Sequence, residues 1–201
     1  MSRTHSLVVI ATVACLCLPL LVLVHIASAQ SSEGVDEFSF LRASVTGSHV
    51  FRYQGMESWS PDPGARLSVS SPYGIGLLRL DGEYRGWQPE GDLPSVRTIS
   101  ILAGWGLASD RDGSIELNAG LMAGNTFMLM DLPKGAPGRF ESEILAVSFV
   151  RLGRRISSSL RVFLELRAQR VFTRPRWELI DSSAGVSIDM NTPRWIQRIL
   201  Q

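Results

Sequence analysis

Ser48 and His49 stand side by side, and a serine beside a histidine is the smallest unit of hydrolytic chemistry. The unit works only when the two side chains lie within hydrogen-bond reach. Neighbours in an extended strand point to opposite faces, so Ser48 and His49 do not form that dyad if this segment is a strand. His49 also falls where a long polar stretch begins, and the plainer reading is a solvated loop histidine. It remains the one weak catalytic candidate. Metal chemistry has less support. His5, His25, Cys15 and Cys17 all lie in the first 29 residues, leaving one histidine and no cysteine beyond them, too few for a typical zinc site. Glu57 and Asp62 lack the spacing of a calcium loop. Gly74-Ile75-Gly76 lacks the helix that a dinucleotide fingerprint requires. No metal and no cofactor is expected.

The other chemistry-bearing residues are charges in alternation. Arg79, Asp81, Glu83 and Arg85 occupy one parity, and Leu78, Leu80, Gly82, Tyr84 and Gly86 the other. Arg161, Glu165 and Arg167, with Phe163 and Gln169, alternate in the same way with Leu160, Val162, Leu164, Leu166 and Ala168. Period two throws successive side chains to opposite faces of a strand, giving one apolar and one charged face. Weaker versions recur at Phe38–Thr46, Ala65–Ser71, Thr98–Leu107, Ser114–Met122 (with Glu116 on the polar parity) and Ser183–Met190. Glu143–Arg151 is apolar on both parities, and its faces stay unassigned. The set predicts about eight strands.

The links between them run long, short, long, short, long, short, long: 47–64, then Ser71-Pro72-Tyr73-Gly74, 88–95, 109–113, 131–139, Gly153-Arg154-Arg155 and 173–182. Gly and Pro mark these breaks.

The chain opens with Arg3, an apolar run from Leu7 to Ile26, and Ala27-Ser28-Ala29, the three parts of a cleavable secretory signal. Residues 1–29 are read as a signal peptide and 30–36 as a short polar leader. The barrel domain is placed at 37–190, with a tail at 191–201. The apolar run also reaches the roughly 20 residues that span a bilayer, so a retained anchor is the competing reading. Removing Arg3 with the signal leaves 19 basic residues (20 − 1) against 19 acids. No global basic field remains to attract nucleic acid. All but Lys134 of the remaining basic residues are arginines, whose planar fork suits crowded ion-pair networks.

A sheet with one apolar and one charged face is either a soluble barrel with an apolar interior or a membrane barrel turned inside out. Four features favour the second. Strands of about 9–11 residues match a tilted membrane crossing. Alternating loop lengths match short turns on one side and long loops on the other. Mixed-sign charges on one face can neutralise one another in a narrow lumen, whereas arginine facing lipid at mid-depth costs about 2–4 kcal/mol. Aromatic residues, among them Phe38, Tyr73, Trp87, Phe172 and Trp177, gather near strand ends and suit interfacial girdles.

On this pattern the chain resembles the small eight-stranded outer-membrane barrels, the OmpA-like and OmpX-like proteins. The segment Asn191 to Leu200 is similar to the tail of some barrel domains, although the chain ends Leu200-Gln201, whereas such families often end on an aromatic residue. Thr192-Pro193 offers the start of a short amphipathic helix, with Pro at its first position. The resemblance implies a single antiparallel up-and-down transmembrane β-barrel in a bacterial outer membrane, monomeric, delivered by the barrel assembly machinery and bathed in lipid including lipopolysaccharide. An eight-stranded barrel is filled by side chains, so Arg79, Asp81, Glu83, Arg85, Glu116, Arg161, Glu165 and Arg167 are expected to form a lumen charge network, not an open pore. The expected role is structural, or surface interaction through the long loops, where Phe51, Tyr53, Met56 and Trp59 offer contact chemistry. The plainer reading of those residues is a loop packing on itself over the barrel mouth. The alternatives are a soluble periplasmic lipocalin-like barrel for a small apolar ligand, and a lipid A-modifying enzyme.

Overall fold

The computed structural model describes residues 37–109, 114–131, 139–172 and 176–196. The expected signal peptide and leader lie outside these residues. The described chain forms nine strands: β1 (Phe40–Gln54), β2 (Trp59–Pro61), β3 (Gly64–Tyr73), β4 (Gly76–Pro89), β5 (Val96–Ala108), β6 (Ile115–Met130), β7 (Arg139–Arg155), β8 (Leu160–Val171) and β9 (Trp177–Asn191). β2 is a three-residue ribbon on the loop-end part of β4. The other eight pair antiparallel in the order β4-β3-β1-β9-β8-β7-β6-β5, and β4 pairs again with β5. That last pairing closes the sheet, so no barrel strand has a free edge.

The period-two pattern sets which side is out. Leu78 and Leu80 are 41% and 54% exposed, while Arg79 and Asp81 between them are 3% and 1% exposed. The same holds on β8, where Leu164 and Leu166 face out and Glu165 and Arg167 are buried. This is the inside-out distribution of a transmembrane barrel, opposite to that of a soluble lipocalin-like barrel.

Several strands run longer than the alternation indicated. β1 continues through a bulge between Val50 and Arg52 to Gln54, so much of the stretch read as the first long loop is strand. β7 runs through Gly153 to Arg155, and its turn falls at 156–159, where Ile156 N donates to Leu160 O. The β3–β4 hairpin turns on Gly74 and Ile75, with Gly74 at φ +57°, a left-handed conformation that glycine adopts without steric cost. Gly124 answers a different need. Its strand passes so close to β5 that an added Cβ would collide with the Ile101 carbonyl oxygen.

β7 had no assignable faces because the lumen itself has an apolar side. Leu145, Val147 and Phe149 point inward with Leu102, Met122 and Val171. Beyond β9, residues 194–196 form a helical turn directly after Pro193, with Ile196 N donating to Pro193 O. The rest of the expected tail helix lies outside the described residues.

Candidate functional site

The barrel interior stacks three tiers along its axis. The chain's short turns and the β1 start lie at one end, the turn end. The longer loops lie at the other.

At the turn end, Arg42 on β1 and Arg161 on β8 share Glu116 on β6 and Asp189 on β9. Arg42 Nε donates to Asp189 Oδ1 at 2.6 Å, and Arg42 Nη1 donates to Glu116 Oε1 at 2.7 Å. Arg161 Nε donates to Asp189 Oδ2 at 3.1 Å and its Nη1 lies 3.3 Å from Glu116 Oε2. Within this foursome two cations face two anions.

The middle tier centres on Glu165. Its carboxylate accepts from Arg79 Nη1 at 2.6 Å, from Arg151 Nε at 2.7 Å and from Arg66 Nη1. Asp81 accepts from Arg79 Nε at 2.7 Å. Glu83 accepts from Arg85 Nη2 at 3.0 Å and Arg167 Nη1 at 3.2 Å. Asp181 accepts from Gln169 Nε2 and, at 3.4 Å, from Arg66 Nη2. Arg79 and Arg151 also lie over the rings of Phe149 and Phe163, at 4.7 and 3.9 Å from the centroids, which stacks the guanidinium planes on the apolar side of the lumen. Buried charges persist only when paired and hydrogen-bonded.

The loop-end tier is apolar. Trp87 is 2% exposed and packs with Val50, Met56, Val96, Met128 and Leu179, while Tyr53, Trp59 and Trp177 lean on the cluster. The Trp87 ring lies 6.3 Å from Tyr53 and 6.0 Å from Trp177. Trp87 Nε1 donates to Thr98 Oγ1 and Trp59 Nε1 to Pro94 O, so the indole polar atoms are satisfied inside the plug.

The structure brings Arg79, Asp81, Glu83, Arg85, Glu165 and Arg167 into one middle tier, and Glu116 and Arg161 into the turn-end tier. It adds Arg42, Arg66, Arg151, Asp181 and Asp189. Arg42, Arg66 and Asp189 already sat on the polar parity of their strands. Asp181 fell in a stretch read as loop, and Arg151 ended a strand whose faces could not be assigned.

Three of the aromatic assignments, Trp87, Trp177 and Phe38, need correction. Trp87 and Trp177 do not form a lipid-facing girdle. Trp87 has the parity of Arg85 and therefore points inward, and Trp177 packs against it. Phe38 is buried against Tyr73, ring centroids 5.6 Å apart. Tyr73 and Phe172 are exposed as expected, and Tyr84, Trp105 and Phe140 also face outward, with Phe127 stacked on Phe140 at 5.6 Å. Met56, Tyr53 and Trp59 cover the barrel mouth instead of offering a free contact surface; Phe51 alone of that group faces out.

His49 also moves. It lies within β1, not at a loop, and faces outward, while Ser48 faces inward and accepts from Arg85 Nη2 at 2.9 Å. The adjacent pair is thus split across the barrel wall. Across the ladder His49 sits opposite Ser182. Among the described residues no group of three or more metal-ligating side chains gathers, and no helix is long and apolar enough to cross a membrane.

No protein-family model matches the chain, and no curated protein sequence does so significantly. Solved structures do. The chain is similar to the Neisserial surface protein A, with 12% identity, a TM-score of 0.54, and coverage of 76% of this chain and 96% of that one. It is similar to the outer membrane protein OprG from Pseudomonas aeruginosa, with 8% identity, a TM-score of 0.52, and coverage of 76% and 95%. At these identities the likeness is one of fold. With its closed antiparallel sheet, outward apolar face and buried charges, the chain has the fold of the small eight-stranded outer-membrane β-barrels.

Proposed function

We propose that this protein is a monomeric, non-enzymatic barrel of a bacterial outer membrane, with a structural or surface-interaction role and a lumen that conducts nothing. One observation carries the reading: the charged tiers and the aromatic plug fill the interior while leucines and valines face outward. An eight-stranded barrel is just wide enough for side chains to fill, and here both ends of the lumen are occupied. Closure of β4 on β5 leaves no strand edge to recruit a second chain. Delivery by the barrel assembly machinery follows from the same topology. Partner contact falls to the loop end, where Phe51 and the exposed Leu93 stand beside charged loop residues.

The test is membrane fractionation followed by a boiled-versus-unboiled gel and planar-bilayer recording. The expected result is recovery in the outer membrane, a mobility shift on boiling and no steady conductance. Recovery in the soluble periplasm, or a stable open channel, overturns the reading.

A further inference from the structure

On the outward face of the β8–β9–β1 flank, polar and small residues break the apolar cover in a regular order. Reading inward from the loop end, the ladder places Arg170 opposite Glu178, then Arg52 opposite Ile180, then His49 opposite Ser182, then Gly47 opposite Ala184, and then Val45 opposite Val186. The order is charged, polar, small and then apolar. Two depressions of about 630 and 690 Å³ reach this flank, the first continuing across β7 and β6 to Ala103 on β5. The first holds Arg52, Arg170 and Ala168, and the second His49, Ser182 and Gly47. They exist because the residues between the long side chains are small. A Cβ added at Gly47 would meet nothing within 4 Å, so the trough floor is open.

Polar groups at the edge of the apolar layer carry a cost unless something satisfies them. Arg170 lies 3.7 Å from Glu178, which leaves the rim with two cations and one anion, a net charge of +1 (2 − 1). Arg52 is two strands across from Arg170 and one ladder row further in, roughly 12 Å between backbones at the usual strand spacing and rise. That span suits a single phosphate-bearing headgroup.

We infer that this flank binds one anionic glycerophospholipid-like or otherwise phosphorylated, acylated lipid, its phosphate at Arg52 and Arg170, its ester region at His49 and Ser182, and an acyl chain in the trough over Gly47 and Ala184. The inference rests on the membrane reading proposed above. The order of chemistry along the ladder matches the order of groups in such a lipid, and the net charge selects an anionic headgroup over a zwitterionic one.

The test is native mass spectrometry of the full chain refolded in neutral detergent and titrated with dioleoyl phosphatidic acid, dioleoyl phosphatidylcholine or inorganic phosphate. The expected result is retention of one phosphatidic acid with a preference of about fivefold over phosphatidylcholine, the size expected for one net positive charge near a surface. Arg52→Gln with Arg170→Gln removes that preference while leaving the mobility shift on boiling. Gly47→Leu weakens retention of both lipids. Equal retention of the two lipids, a preference that survives the double glutamine variant, or binding of inorganic phosphate as tight as that of the lipid overturns the site. Loss of the boiling shift in the unmodified chain overturns the membrane reading instead, so the two failures are distinguishable.

Discussion

Glu165 lies directly across the β7–β8 ladder from Arg151, and its carboxylate accepts from Arg151, Arg79 and Arg66 at once. One anion on β8 therefore joins β7, β4 and β3 across the lumen.

Glu165→Gln leaves three guanidinium groups short of their shared anion. Removing one partner of a buried ion pair costs about 3–5 kcal/mol. Urea unfolding in vesicles is expected to show a loss of that size. A loss under about 1 kcal/mol, in the range of an exposed pair, would show that the tier is hydrated and replaceable.

Trp87→Ala removes the centre of the loop-end plug. A buried tryptophan truncated to alanine costs about 3–5 kcal/mol, and unfolding midpoints should fall accordingly. Conductance should stay absent, because the charged tiers still close the lumen below. A steady current in this variant would assign the seal to the plug alone.

Leu80→Arg puts a cation on the outward face, where the cost is about 2–4 kcal/mol near mid-depth. Vesicle folding yield is the readout, and it should drop well below that of Leu80→Ala. Equal yields would place Leu80 outside the apolar layer.

The pH dependence is readable at the loop end. The hydrogen bond from Arg97, and then that from Ser95, hold the Asp131 carboxyl below its usual value. A depressed carboxyl pKa stabilises the folded state above the ordinary value of about 3.9, and that contribution disappears as pH falls through the lower folded value. The hydrogen-exchange protection factor of Asp131, whose N–H donates to Ser95 O, should therefore fall on acidification below about pH 4. Asp131→Asn should abolish this step. An unchanged acid limb in that variant would assign it to other groups.

Much of the barrel was legible because alternation is a local signal. Leu78 to Trp87 spells out its two faces, and the same parity already placed Trp87 inward, against its reading as a girdle residue. β7 was not legible, since Leu145, Val147 and Phe149 fill an apolar side of the lumen and match the outward residues in character. Strand ends were underestimated at β1 and β7 because strands pair beyond the apolar layer, where polar residues such as Arg52 and Arg154 break the pattern. Charge partners were beyond local reading altogether. Arg42 and Asp189 are 147 positions apart, and only the closed register makes them neighbours.

That pair sits on the seam where the first and last barrel strands meet. A sheet not yet joined there would present Arg42 without Asp189, in surroundings that tolerate no lone cation. Half-closed forms are thereby penalised, and the chain's own chemistry inspects its final join, admitting the ring only when it is complete.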